Sequence, residues 1–567
     1  MNTYFKTLIL LFVFTFSSVQ SQTNIKDYKM QWEGKLNDKN AFNLSVSIDV
    51  INENEYNFSL FNKNFNFSKK VKSSSNNYIE FNIDNNTSFS GILNKKKTEI
   101  SGFISSGMYF YHTKLTKDKS GLYKGKWNVF LLEEFISKSI FLSIENVTEN
   151  GFDAFPFFGD QRFAGTHAMN SKLNGNVVTF QDFRTGIHFR ATLLKETIVL
   201  EALVADKAFT KVSLQKTKTP WKFGDYETNN SKVSKLNDGW KIKPLKEKAL
   251  LIKMENEIHQ KKFINTHSVL ITKKGKIVYE KYFDGHTNRT IHDQRSASKS
   301  IASAITGIAI EEGLLKSDTD LLYNYLPKEY QNPKDALKSE IKIKDLLTMS
   351  SGIDAVDFGV KRKSKASEQA YQNSRNWLKT VLDAPMINKP GTVANYGSAN
   401  PYLLSVVLND LTPVPLQLYM DQKLLNPLGI HNYAIQKEMT GKPYFGGGMY
   451  LSSRQMLKFG QLYLCKGKLN GKRILSKKWV EKSLKNYLNL ENTKDKNGYG
   501  YLWWHKTYIV NGKEIKSIEA RGNGGQYIFV VPELDTVSVI TAGNFRNGKT
   551  QQPEIIFEKY VLPTLLN

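Results

Sequence analysis

An all-β region over residues 22–217, followed by an α+β domain over 238–567 with an antiparallel sheet flanked by helices, is the fold class this sequence predicts. Three observations lead there. Apolar and polar residues alternate with period two from about 28 to 217. Residues 218–237 are polar and aperiodic. Beyond 238, a hairpin pattern, several helical patterns and a closing pair of strand patterns follow one another. Alternation marks half-buried strands, and strands mixed with helices in one segment mark an α+β domain.

At the start of the chain, Lys6 precedes the apolar run LILLFVFTF (8–16), and small and polar residues follow. This is the pattern of a secretory signal peptide. The run is too short to cross about 30 Å of hydrocarbon. Cleavage after Ser21 is expected, which makes 1–21 a signal peptide and the mature chain secreted or periplasmic, with no integral membrane span. The single cysteine, Cys465, excludes an internal disulfide and reads as a small buried hydrophobe.

The formal charge is +26, from 79 Lys and Arg against 53 Asp and Glu. Nucleic-acid binding calls for basic stripes interleaved with aromatic residues. Here the lysines are spread along the whole chain, so no nucleic-acid partner is expected, and a weak association with the anionic envelope is the only partner the charge suggests.

LSVSIDV (44–50) and YIEFNID (78–84) illustrate the alternation in the first region, and turn clusters such as 73–77 separate such runs. A sandwich or a barrel satisfies this pattern. FSGILNKKKTEISGFI (89–104) overlays on FRATLLKETIVLEALV (189–204) with a small gap, which leaves open both a duplicated unit and two unrelated hairpins. After the linker at 218–237, LKEKALLIKMENEIHQ (245–260) is an amphipathic helix and SVLITKKGKIVYEKYF (268–283) a hairpin. Strands at 526–532 and 536–542 and a helix near 553–561 close the chain.

The residues with chemistry begin at RSASKSIASAITGIAIEEG (295–313), where Ile301, Ala304, Ile305, Ile308 and Ala309 form a buried helical stripe. Ser296 sits at the start of that helix and Lys299 three residues on, so the two share a face. Free N–H groups and the helix dipole favour negative charge there, and a desolvated lysine can accept a proton. Alone, Ser-x-x-Lys is equally a capping serine beside a solvated lysine. Three further segments follow in order: IKIKDLLTMSSGI (341–353), the Tyr396-Gly397-Ser398 turn ahead of an apolar helix, and RGNGGQYIFVVP (521–532). Tyr499, Trp503 and Trp504 read as core or as pocket lining. The nine histidines show neither HxH nor HExxH spacing, and His292 reads as a loop residue, so no metal and no cofactor are expected.

Together, SASK (296–299), DLLTMSSGI (345–353), PGTVANYGSANPYLL (390–404), GGGMYLSSRQMLKFGQLYL (446–464), GYGYLWW (498–504) and GGQYIFVVPELD (524–535) resemble the serine β-lactamase-related superfamily. The likeness is to its class C type esterases, penicillin-binding proteins and amide hydrolases, and it covers about 238–567. It implies a β-lactamase/transpeptidase-like domain with Ser296 as nucleophile, Lys299 as proton acceptor and Tyr396 as their partner. It also implies an oxyanion hole from the N–H groups of Ser296 and Gln526, and substrate contacts at Ser398, Asn523, Gly524 and Gly525. A nearby lysine cation is expected to lower the phenol from its usual pKa of about 10. Two departures bear on substrate. Ser398 stands where the family often has Asn, and Asn523 where β-lactamases and D,D-peptidases have a cation, with Arg521 as the alternative source of charge. The expectation is therefore a serine hydrolase acting through an acyl-enzyme on a small-molecule or peptide ester or amide rather than a dedicated β-lactamase. The alternative is a catalytically weak receptor for cell-wall fragments or β-lactams.

Overall fold

A computed structural model describes residues 24–160, 162, 166, 168–220 and 235–566. The signal peptide expected over 1–21 and most of the linker expected over 218–237 lie outside the described residues.

The first region is built as two barrel-like rings of eight antiparallel strands. In the first, strands from Asn43–Val50 to Tyr123–Asn128 pair in chain order, and the last pairs back onto the first through Leu44 and Trp127. Phe65–Lys72 and Ile79–Asn82 lie side by side where the ladder is interrupted. The second ring runs from Ser139–Thr148 to Lys207–Lys216. It is completed by Gln31–Lys35, which inserts between those two strands. The burial strings show why alternation was visible: Asn43–Val50 reads half-buried, buried, half-buried for six residues. Inward residues including Trp32, Phe42, Trp127 and Phe158 form one continuous core across both rings. FSGILNKKKTEISGFI and FRATLLKETIVLEALV each span a hairpin of their own ring.

The C-terminal domain holds an eight-stranded antiparallel sheet. Its central strand, Thr536–Ala542, is buried at every position, as a strand covered on both faces must be, and it is made of small and β-branched residues. One face carries Ala249–His259 and the chain's last helical turns, closed by Leu251, Met254, Phe557 and Val561. The other carries Lys299–Glu311, Ala399–Leu411 and Ser453–Leu464. The last of these begins with a capping box in which Ser452 and Gln455 each accept the other's backbone N–H.

Sequence patterns did not foretell how the two parts join. Tyr109–Lys117 of the first ring accepts Ala434–Gln436 as its neighbour, with Tyr111 opposite Ala434. That strand pairs with Met449–Ser452, which pairs with Ile291–Asp293. A hydrogen-bonded sheet thus runs from the N-terminal region to Asp293, three residues before Ser296.

Candidate active site

Ser296 lies in a short 3-10 turn, Arg295–Ser298, that leads into the helix Lys299–Glu311. Arg295 immediately before it has φ +47°, a left-handed conformation that costs a residue with a Cβ about 1–2 kcal/mol. Asp293 holds it there, accepting from Arg295 N at 3.0 Å and pairing with Arg295 Nε at 2.9 Å. The backbone needs room on two sides. Gly447 has φ +142°, and a Cβ on it would come 3.2 Å from the Arg295 carbonyl carbon. A Cβ on Gly522 would come 2.1 Å from Gln294 O and 3.2 Å from Ala297 N. Two glycine backbones therefore clasp the nucleophile turn.

Lys299 is 1% exposed and donates from Nζ to Ser296 Oγ at 2.7 Å and to Gly446 O. Its Nζ lies 5.3 Å from the Tyr396 ring centre. The helix start supplies the shared face, and the Gly446–Gly448 passage supplies a carbonyl that fixes the Lys299 amino group. Ser296, Lys299 and Tyr396 thus converge on one point.

Tyr396 is buried among Phe358, Tyr499 and Trp504, at ring distances of 5.3, 6.3 and 5.2 Å. Its pKa departs from the sequence expectation. Burial raises it, while Lys299 and hydrogen bonding with Ser296 pull it down, and burial prevails. The resting phenol is neutral. Trp503, by contrast, stacks on Phe459 and belongs to the core.

Residues that no motif announced set this loop in place. Asn492 Oδ1 accepts from Tyr396 N at 2.8 Å, and Asn492 Nδ2 donates to Phe358 O at 3.0 Å and to Tyr396 O at 3.3 Å. Asp357 Oδ2 accepts from both N and Oγ of Ser398, at 2.8 and 2.7 Å. Ser398 is 1% exposed, so the substrate contact expected of it is replaced by a loop-locking bond. Glu368 also approaches the site. Burial raises its pKa, with the Lys299 charge opposing, and Tyr444 donates to it at 2.6 Å.

The glycine-rich turn differs most from expectation. The strand pressed most closely against the nucleophile turn is Lys513–Gly522, and the one that begins at Gln526 also touches it. Gln526 lies in the ladder opposite Gly522, and its side chain donates to Ala542 O. The expected oxyanion donor thus lies one strand over from the glycine that touches the turn. Asn523 directly follows the glycine that touches the turn, which makes its N–H, beside that of Ser296, the alternative candidate donor. A Cβ on Gly524 would meet Phe545, over whose ring Arg295 sits at 5.4 Å, and one on Gly525 would meet Ala542 and Pro553. Asn523 itself is exposed, and its Oδ1 accepts from Gly524 N at 2.8 Å. Arg521 does not supply the missing cation. It pairs with Glu519 at 2.7 Å and Glu554 at 3.3 Å and stacks over Trp504.

The second ring also reaches this neighbourhood. Burial disfavours the charge on Arg184, and Tyr109, Tyr450 and Asp293 outweigh it, raising its pKa.

A family model described as Beta-lactamase matches residues 252–555. Among curated proteins, a proposed D-alanyl-D-alanine carboxypeptidase of Escherichia coli (strain K12) is 29% identical over 195 residues, 31% of this chain and 44% of that protein. Another, of Salmonella heidelberg (strain SL476), is 24% identical over 177 residues, 29% of this chain and 40% of that protein. The chain thus spans less than half the length of these curated relatives. Among solved structures, a proposed 6-aminohexanoate-dimer hydrolase from Bacillus anthracis is similar at 20% identity and TM-score 0.45, covering 59% of this chain and 86% of that one. A penicillin-binding protein from Bacillus halodurans is similar at 18% identity and TM-score 0.41, covering 55% of this chain and 98% of that one.

Proposed function

The chain belongs to the beta-lactamase family, and from that premise we propose that it is a serine hydrolase that forms an acyl-enzyme on Ser296 and transfers the acyl group of an ester, amide or short peptide to water. The observation that carries this reading is the 2.7 Å contact between Lys299 Nζ and Ser296 Oγ, with the Lys299 side chain sealed from solvent.

Ser296 Oγ attacks the substrate carbonyl and its proton passes to Lys299 Nζ in the form of the pair that has shed one proton, the free amine beside the Tyr396 phenol. The carbonyl oxygen becomes an oxyanion held by the backbone N–H groups of Ser296 and Asn523, each such donor contributing about 3 kcal/mol. Collapse breaks the bond to the leaving group, which takes a proton from Tyr396. Water then enters, gives a proton to the same pair, attacks the acyl carbon and releases the acid, returning the proton to Ser296. A neutral resting phenol suits this relay, because Tyr396 has a proton to give at the first collapse.

Asn523 carries no charge and Arg521 is committed to Glu519 and Glu554. Both support substrates that need no carboxylate. Export through the 1–21 leader to the periplasm or the medium, and a weak association with the anionic envelope through the +26 charge, complete the reading. The test is turnover by the purified chain of p-nitrophenyl esters against nitrocefin, with Ser296→Ala as control. Ester turnover is expected to fall at least about 10³-fold in the variant. Fast nitrocefin hydrolysis with inert esters overturns the substrate assignment. Acylation without turnover favours the receptor.

A further inference from the structure

Three histidines from three segments meet behind the nucleophile turn. His267 is the second residue of Thr266–Lys273, His286 follows the strand Lys276–Tyr282, and His292 is the middle residue of Ile291–Asp293. Their rings lie nearly parallel, with centres 3.7 Å apart for His267 and His286, 5.2 Å for His286 and His292, and 5.4 Å for His267 and His292. One ring nitrogen of each lies within 4.8 Å of the other two.

The hydrogen bonds say which nitrogens are bare. His286 Nδ1 is 3.1 Å from both Phe283 O and Asp284 O. Carbonyl oxygens only accept, so Nδ1 carries the proton and Nε2 keeps its lone pair. This is the pattern by which a metal-binding imidazole is oriented from behind. His267 Nδ1 and His292 Nε2 are buried with no partner among the described residues. His267 Nε2 faces Gly543, where a Cβ would come within 2.8 Å of it. A buried nitrogen without a partner is disfavoured, and here two of them stand beside a third bare lone pair. Arg162, a cation that acts on His286, is itself paired with Asp160 at 2.7 Å.

We propose that His267, His286 and His292 form a transition-metal site that takes a divalent cation of the zinc type through His267 Nδ1, His286 Nε2 and His292 Nε2. Zinc–nitrogen bonds of about 2.0–2.1 Å in the plane of each ring set tetrahedral ligands about 3.4 Å apart, so the stacked His267 and His286 rings turn out of their parallel arrangement as the ion binds. Imidazole ligands suit zinc, copper and nickel rather than calcium or magnesium. The protein supplies three of the four ligand positions. The ion ties the first strand of the central hairpin to the segment ending at Asp293, the residue that holds Arg295 in its left-handed conformation. It is a clamp on the nucleophile turn and takes no part in acyl transfer.

The test uses tag-free full-length protein loaded with zinc, dialysed and analysed for metal, with cobalt(II) as a spectroscopic substitute. About one zinc per chain is expected, with visible d–d bands for the cobalt form and a melting temperature that falls when dipicolinate removes the metal. His286→Gln and His292→Gln are each expected to weaken zinc binding at least about 100-fold. Zinc at background level in the wild type, or undiminished binding in a folded double variant, overturns the site. If the variants do not fold, the wild type decides: an unchanged melting temperature after chelation, or a cobalt form without d–d bands, overturns it.

Discussion

His112, in the N-terminal region, lies 3.2 Å from Asp421 of the C-terminal domain, and neither side chain is exposed. Ser101 Oγ donates to the same carboxylate at 2.6 Å and Tyr433 Oη at 3.0 Å, while the His112 ring stacks on Tyr433 at 4.5 Å. Burial alone would raise the Asp421 pKa, but His112 and the two hydroxyls outweigh it and hold it below the usual carboxylate value. This network sits beside the Tyr111–Ala434 pairing. The N-terminal region is therefore docked on the C-terminal domain through a polar core as well as a shared sheet.

His112 Nδ1 accepts from Asn432 N, so Nε2 donates to Asp421 and His112→Ala removes one donor from a buried carboxylate, a change that costs about 1.5–3 kcal/mol. Urea unfolding checks it, and a loss under about 0.5 kcal/mol contradicts the docked arrangement. Because Asp421 titrates lower folded than unfolded, its contribution is fully present above about pH 4 and is lost as pH falls through the folded value. Acid should therefore loosen this junction, and Asp421→Asn should flatten that part of the pH profile.

Asn492 acts on Tyr396 without touching the chemistry. Asn492→Ala removes the acceptor for Tyr396 N–H and the donor to Phe358 O and Tyr396 O. A displaced phenol is expected to lower kcat by about 10- to 100-fold with little change in KM. Asn492→Asp restores the acceptor alone and should recover part of the loss. A KM effect with normal kcat would show that the residue binds substrate instead.

Gly522→Ala tests the clasp on the nucleophile turn. The added methyl meets the Gln294 carbonyl at 2.1 Å, so backbone must move. Overpacking of this kind costs about 1–3 kcal/mol, and acylation should slow more than stability alone explains. Stopped-flow acylation beside thermal melting separates the two. Gly525→Ala, facing Ala542 and Pro553, should leave the acylation rate near normal.

Lys437 lies across the junction, donating to Ser105 Oγ at 2.9 Å with its Nζ 5.4 Å from the Phe110 ring centre. Burial draws its pKa down to about 8. Its folded value is lower than its unfolded one, so stability rises with pH between about 8 and about 10.4. At neutral pH the buried cation is a cost. Lys437→Met is expected to raise stability by about 1–2 kcal/mol after the lost Ser105 bond is counted, read as a higher melting temperature at pH 7.

The nucleophile helix, the tyrosine turn and the closing strands were legible because each is local: a period of 3.6 residues, a turn dipeptide, or a run of β-branched residues spans fewer than twenty positions. What depends on distant partners was not. Gln31–Lys35 pairs with strands more than a hundred residues away, and three residues at 434–436 carry the junction between the two parts. The run Gly522-Asn523-Gly524-Gly525 was ambiguous for a different reason. Glycines permit a strand end anywhere along it, and only packing against Gln294 selects Gly522. The histidines at 267, 286 and 292 are separated by hairpin and loop, so no spacing rule could join them. The Tyr396 pKa was misjudged because sequence reveals a nearby lysine more readily than the depth of burial.

The central claim is that Ser296 carries the acyl group, and the most direct measurement is covalent labelling. Intact protein is treated with a fluorophosphonate probe, weighed and mapped by peptide mass. A single adduct on the peptide that contains Ser296, absent from Ser296→Ala, is the predicted result. The same adduct in Ser296→Ala, or ester turnover by a wild-type chain that takes no label at Ser296, would contradict it.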